Sequence, residues 1–398
     1  MAKVKRDFAT GLPIETIPPP RIRASERVSF QRCQAAWWWR NREGLVPKGI
    51  PSTPLWFGTG VHLALALWYC GPGVKRGPEP AETWDKYASE MEMAYVRTDD
   101  PDDDTVAKYV DARELGITML EGYRKLYGRD ETWSIVSPER TFNLRIPWPA
   151  NASNFWDAAS VDPSTVMAEL VGTYDVVYLD TETTRYWLGE HKTAKAVQTR
   201  HLAMDNQAGT YWATATAELR RDGLIPEDEV LAGIMYNFLR KALPDERPLD
   251  AEGDKTNKPT KQSYIEAFEA RGIHQIDGKP LEKCTLVRLS ELAVSESMFV
   301  LGDRSKVQPP PLFLRHAVHR TSAERRSQLL RAQQDALQME LLRDGLLIPT
   351  KTATRECSWC EFYDMCELQE RGGDWESLRD IAYKVQDPYA DHRKSTDE

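Results

Sequence analysis

The chain has 398 residues, a net charge of −9 and 41% hydrophobic residues, which is ample material for a core. No run of eighteen apolar residues occurs, and the first ten residues are too polar for a secretory signal. A helical membrane protein is thereby excluded, a soluble cytoplasmic one is expected, and six cysteines are too few for a disulfide scaffold.

The opening, through Pro18-Pro19-Pro20, reads as an irregular arm. Residues 23–42 turn helical, with Phe30, Cys33, Trp37 and Trp38 at helical spacing. Gly58-Thr59-Gly60 introduces an apolar helix over 61–69 with His62 in its first turn, and a Pro/Gly-rich loop ends it. Helices are expected at 83–96 and 105–127, separated by a solvated acidic loop carrying Asp99, Asp100, Asp102, Asp103 and Asp104. Strands follow at 134–146, 166–179 and 185–192, the last two joined by a turn at 180–184. A helix at 202–222 and a strand at 230–239 complete an α/β core with a central mixed sheet. Residues 245–280 read as an insertion or long loop, and 281–301 as partly helical. An amphipathic helix is expected at 321–344, with Leu329, Leu330, Leu337 and Leu341 apolar. A short helix is expected beyond Gly372, then disorder from 387. No phosphate-binding G-x-x-x-x-G-K-[ST] loop occurs.

The chemistry concentrates in two places. Asp175 lies on one strand of a hairpin, and Glu190 and Lys192 share a face of the other. Such residues also occur as solvated cross-strand pairs. Here the flanking Leu170-Val171, Val176-Val177 and Tyr186-Trp187-Leu188 are apolar, so the charges need a partner or a metal. Gln207 and Tyr211 share one face of the following helix, a common pattern of half-buried helices. Basic residues gather at Arg185, Lys192, Lys195 and Arg200 and again at Arg315, Arg320, Arg325, Arg326 and Arg331, as stripes able to bind phosphate despite the acidic total.

The second place is the C-x2-C-x5-C set Cys357, Cys360 and Cys366. Three thiolates leave a tetrahedral site one ligand short, and Cys33 is the best fourth, closing the two ends of the chain together. His392 is too far away and lies in the tail. Spacing alone leaves zinc and iron–sulfur both open. Trp359, Phe362 and Tyr363 would form an apolar shell, while Cys70 and Cys284 read as ordinary buried residues.

In order, Cys33, His62, Glu139, Asp175, Glu190-x-Lys192, Gln207-x-x-x-Tyr211 and Cys357-x2-Cys360-x5-Cys366 resemble the iron–sulfur branch of the PD-(D/E)XK nucleases. That branch includes RecB-type nuclease domains and CRISPR-associated iron–sulfur exonucleases, and the layout looks most like stand-alone exonucleases of actinobacterial viruses. The resemblance spans 23–368 and is weakest over 245–301. It implies a restriction-endonuclease-like α/β core with a central mixed sheet, an N-terminal helical part and a C-terminal cluster segment. It further implies that His62, Asp175, Glu190 and the His191 carbonyl bind Mg²⁺ or Mn²⁺. Asp175, Glu190 and Lys192 would be catalytic, Gln207 and Tyr211 would contact DNA, and Cys33, Cys357, Cys360 and Cys366 would hold a 4Fe–4S cluster. Glu139 matches an acidic motif without a fixed role. Glu190 stands where many relatives have Asp.

The boundaries expected are an arm at 1–22, a helical region at 23–132, the nuclease core at 133–244, an insertion at 245–301, a helix and cysteine segment at 302–372 and a tail at 373–398. The function implied is a metal-dependent DNA exonuclease acting on single-stranded ends in viral recombination, replication or end processing, in the cytoplasm of a bacterial host. No helicase part is seen, so unwinding would come from a helicase or recombinase partner. The rival readings are a non-catalytic cluster- or zinc-stabilised DNA-binding protein and, more remotely, an electron carrier.

Overall fold

The β-branched and aromatic runs assemble one mixed sheet whose hub is a single long strand. The computed structural model describes residues 19–48, 53–97, 102–150 and 163–388. These form β1 (Arg21–Arg23), α1 (Ala24–Arg32), α2 (Gln34–Trp37), β2 (Leu45–Pro47), α3 (Thr53–Trp68), α4 (Pro80–Val96), α5 (Asp103–Tyr127), β3 (Trp133–Pro147) and β4 (Val166–Asp180). Next come β5 (Arg185–Ala194), α6 (Asn206–Arg221), β6 (Leu231–Arg240), α7 (Lys261–Glu269), β7 (Gln275–Ile276), β8 (Lys279–Pro280) and α8 (Leu286–Ser295). The chain then runs through β9 (Phe313–His319), α9 (Ser322–Arg343), α10 (Tyr363–Glu370), α11 (Trp375–Ala382) and β10 (Tyr383–Val385).

The hub β4 pairs antiparallel with β3 along its whole length. Its other edge is shared by two strands. Parallel β1 lies beside Glu169, Leu170 and Val171, and antiparallel β5 lies beside residues 176–180. The sheet continues through parallel β6 to antiparallel β9. On the stretch of β4 between β1 and β5, which contains Asp175, the edge has no ladder partner, and a cleft opens there.

Helices cover both faces. Val61, Ala64, Leu65 and Trp68 of α3, Trp84 of α4 and Leu120 of α5 pack with Val176, Tyr178, Trp187 and Leu239. On the opposite face, Ala208, Ala215 and Leu219 of α6 and Leu329, Ala332 and Ala336 of α9 pack with Tyr174, Val177, Leu188 and Ile234. Strict alternation would send Tyr174 and Val176 the same way. They enter opposite cores instead, so the alternation of β4 breaks at Asp175. A third, small core joins the two ends of the described chain: Ala35, Ala36, Trp39 and Leu45 pack on Phe362, Met365 and Tyr383.

Several sequence expectations need correction. Arg21 and Ile22, assigned to an arm, form β1 with Arg23, while residues 1–18 lie outside the described residues. The short helix expected beyond Gly372 is α11, but the region assigned to a tail goes on to form β10, which pairs with β2 more than three hundred residues upstream. A three-residue strand with so distant a partner carries no periodic signal. Of the acidic loop, Asp102 is the N-cap of α5, accepting from the Asp104 and Thr105 amides, and Asp103 and Asp104 lie in its first turn, where the helix dipole favours them. Asp99 and Asp100 lie outside the described residues, as does His392. Cys70 is exposed rather than buried; Cys284 is buried.

The described residues divide into two compact units, one within Met1–Lys241 and Phe313–Glu398 and the other Ala242–Leu312. The second unit covers the region read as an insertion at 245–301 and has its own core of Ile265, Phe268, Ile276, Leu281 and Leu289 around α7 and α8.

One buried acid yields a pH prediction. Glu340 of α9 is 4% exposed, and burial pushes its carboxyl up to about 7 although Arg343 lies 2.5 Å away. The folded value exceeds the unfolded one, so the fold takes up a proton between them. Stability is fully present below about 4.5 and is lost as pH rises to about 7. Glu340→Gln should therefore raise stability by about 1–3 kcal/mol at pH 8 and change little at pH 4.5, read by urea denaturation.

Candidate active site and cysteine group

The β4–β5 ladder ends at the pair Val176↔Gly189, one residue short of Asp175 and Glu190. Where the strands part, Asp175 Oδ2 accepts a hydrogen bond from the main-chain N–H of His191 at 2.7 Å, taking the place of the missing ladder partner. His62, carried in by α3, sets its Nδ1 3.2 Å from Asp175 Oδ1. Glu139 on β3 has φ +38°, a left-handed conformation that is costly for a side-chain-bearing residue. Its strand neighbours pair as Pro138↔Val176 and Arg140↔Tyr174, so the distortion sits opposite Asp175. Ligand atoms of His62, Glu139 and Asp175 all lie within 4.8 Å of one another, which gives Glu139 a place that the sequence left unassigned.

Glu190 is 2% exposed and is not one of that close triple; its Oε1 accepts from Lys192 Nζ at 2.5 Å, and its Oε2 is buried without a partner. On α6, Asp205 caps the helix by accepting from the Gln207 and Ala208 amides, and Gln207 Nε2 donates to the Tyr211 hydroxyl at 3.0 Å. Tyr211 is 6% exposed and sits edge-on to Phe142 and Tyr174, so only half-buried Gln207 is left to reach outward.

The electrostatics follow from crowding acids in a cleft. The Asp175 charge lifts the His62 imidazole to about 9. Burial alone would raise Asp175, but the His62 charge and the hydrogen bonds from His62 and the His191 amide outweigh it and hold it at about 2. Desolvation in the cleft, then the Asp175 charge, lifts Glu139 to about 7 although its residue is exposed overall. Burial raises Glu190 to about 7 against the pull of Lys192. Burial would lower Lys192, but Glu190 outweighs it and keeps the ammonium charged. Three carboxyls and one imidazole, with a buried carboxylate oxygen left over, are a donor set that fits a hard divalent cation.

A model described as the PD-(D/E)XK nuclease superfamily matches residues 23–367. The chain belongs to the PD-(D/E)XK nuclease superfamily. No curated protein matches the chain. PD-(D/E)XK nucleases are hydrolases that act on nucleic acids and usually use divalent metals such as Mg²⁺ or Mn²⁺, and the mixed sheet with eleven α-helices among the described residues is consistent with their core. No described helix is long and apolar enough to cross a membrane.

Two of the basic positions read as phosphate tracks are internal. The Arg315 side chain is 17% exposed and pairs with Asp130 at 2.6 Å, and that of Arg320 is 1% exposed and donates to the Leu202 and Ala203 carbonyls. Both hold the PD-(D/E)XK core together and neither faces solvent as a stripe would.

The cysteines lie together at the small third core. Cys33 sits in extended backbone (φ −160°, ψ 114°) where α1 breaks into α2. Cys33, Cys360 and Cys366 pack against the Phe362–Met365–Trp39 cluster. Burial pushes the Cys360 and Cys366 thiols up, and the other three thiols of the group act on Cys366 in the same direction. Of the expected aromatic shell, Phe362 is 1% exposed, but Trp359 and Tyr363 are largely exposed at 65% and 45%.

Proposed function

We propose that the chain is a divalent-metal-dependent DNA exonuclease of the RecB-like iron–sulfur branch, acting on single-stranded ends in viral DNA recombination, replication or end processing in a bacterial cytoplasm. The observation that carries this reading is the convergence of His62, Glu139 and Asp175 beside the Glu190–Lys192 pair, where β4 and β5 part. His62, Asp175, Glu139 and the free Oε2 of Glu190 would hold the cation, with the His191 carbonyl as a further ligand. When bound, Mg²⁺ or Mn²⁺ lowers the pKa of a coordinated water and offsets charge on the phosphoryl group.

The side chains supply the rest. Lys192, kept charged by Glu190, can donate to the attacking water or to a phosphoryl oxygen. The His191 amide fixes Asp175, and Gln207, steadied by Tyr211, offers an amide to the DNA backbone. A helicase or recombinase partner would supply unwound ends.

A 4Fe–4S cluster on Cys33, Cys357, Cys360 and Cys366 is the structural part of the proposal. End-labelled single- and double-stranded DNA incubated with Mg²⁺ or Mn²⁺ tests the activity. Mononucleotides or short oligonucleotides should be released from single-stranded ends, and chelator should stop release. Absence of cleavage with either metal sinks the reading.

A further inference from the structure

Beneath the cleft lies a buried polar array for which the reaction outlined above has no use. His191 of β5, Asn237 of β6 and Arg315 of β9 are successive cross-strand partners, so the three side chains run in one row across a face that is otherwise apolar. Asn237 is 0% exposed, and its Nδ2 lies 2.9 Å from His191 Nδ1 and 3.0 Å from the Tyr123 hydroxyl. Arg315 donates to both oxygens of Asp130 at 2.6 and 2.8 Å and to the Tyr123 hydroxyl at 2.9 Å. Tyr69 closes the array by donating to Asp130 at 2.5 Å and stacking on the His191 ring at 5.8 Å. Burying so many polar groups costs stability unless they are held; here the contacts above hold most of them, while His191 Nε2, Asn237 Oδ1 and Arg315 Nε are buried without a partner.

One end of this array is the residue whose main-chain N–H holds Asp175. We infer that His191 is a positioning residue: its side chain, fixed through Asn237 to the Tyr123–Asp130–Arg315 group, sets the main chain between Glu190 and Lys192 and so the place of Asp175 in the cleft. Glu190 and Lys192 point to one face of β5 and His191 to the other, where its ring meets that of His62 edge-on at 6.3 Å, so the array reaches the site through the β5 main chain and beside His62.

The inference rests on the metal-dependent nuclease reading but is tested separately from it. Full-length His191→Leu, His191→Asn, Asn237→Ala and Tyr123→Phe proteins are titrated with Mn²⁺ alone by calorimetry, and turnover and DNA affinity are measured in parallel. His191→Leu and Asn237→Ala should weaken Mn²⁺ binding about 10–100-fold and lower kcat, with DNA Kd unchanged. Tyr123→Phe, which loses only a hydroxyl, should shift both several-fold. His191→Asn, whose amide oxygen can accept from Asn237, should recover most of the loss. If the folded variants lower the unfolding midpoint yet keep the parent's Mn²⁺ affinity and kcat, the array is a staple only and the inference is overturned. Should His191→Leu fail to fold, Tyr123→Phe decides by the same two readouts. A parent chain that binds Mn²⁺ without cutting DNA refutes the nuclease reading, and the calorimetry still decides the positioning role.

Discussion

Lys192→Ala protein should bind DNA ends as tightly as the parent chain and cut them at least about a thousand-fold more slowly. The expectation follows from what Lys192 touches. Its side chain is 31% exposed and meets both solvent and the buried Glu190 carboxylate, and in the proposed site it would act on a water or phosphoryl oxygen. Removing it also leaves Glu190 buried at 2% exposure with neither oxygen held by an ammonium, so a second change must separate the two effects. Glu190→Gln provides it: the shape is kept, Lys192 loses its anionic partner, and a ligand for the cation is lost. Both variants should be inactive, while Glu190→Gln should also need more Mn²⁺ for whatever activity remains. Near-parental unfolding midpoints would show that the loss is chemical. Full cleavage by either purified variant would refute the site.

What the amino-acid sequence made legible depended on range. The Asp175 and Glu190-x-Lys192 neighbourhood could be read because a short turn at 180–184 joins its two strands, and a hairpin fixes cross-strand neighbours. Helix α9 could be read because its leucines repeat over about four turns and Thr321 with Glu324 forms a capping box. By contrast β9, with Arg315, His316 and His319 among its seven residues, looks too polar for a sheet strand. It is tolerated because Arg315 is neutralised by Asp130 on a loop far away in sequence. The signal available was an arginine set between the apolar pairs Phe313-Leu314 and Ala317-Val318, which is consistent with a strand carrying one buried charge. Glu139 was named from the resemblance but its role stayed open, because no local propensity announces its φ of +38° or its place opposite Asp175. The exposure of Trp359 and Tyr363 was equally hidden, because a short irregular segment has no period from which to choose a face.

Cys33→Ala protein should emerge colourless and largely insoluble, whereas Cys70→Ala and Cys284→Ala should stay brown and folded. The contrast is set by where each thiol lies. Cys33 joins the Trp39–Phe362–Met365 core that ties residues 33–48 to residues 350–385, while Cys70 is exposed and Cys284 belongs to the separate 242–312 unit. Other ties bridge the same two segments: the β2–β10 ladder, Arg40 with Glu361 at 3.0 Å, Lys48 to the Asp380 carbonyl at 2.8 Å and Gln34 with Thr350 at 2.9 Å. Exposed pairs of this kind contribute about 0–1 kcal/mol each. A structural metal centre contributes on the order of 10 kcal/mol, because binding and folding are one event. On the proposed four-cysteine assignment, the cluster would decide whether the clasp closes. Without it, Phe362 and Met365, 1% and 0% exposed, and Trp39 come into solvent, which accounts for the expected aggregation. Limited proteolysis of the soluble remainder should cut first within 350–388 and leave the sheet intact, since β4, β5 and β6 draw nothing from that core. Iron and sulfide analysis with a visible spectrum separates the outcomes: normal blue–violet absorbance in Cys33→Ala overturns the four-cysteine assignment, and stoichiometric zinc in a colourless parent replaces the cluster with a zinc site.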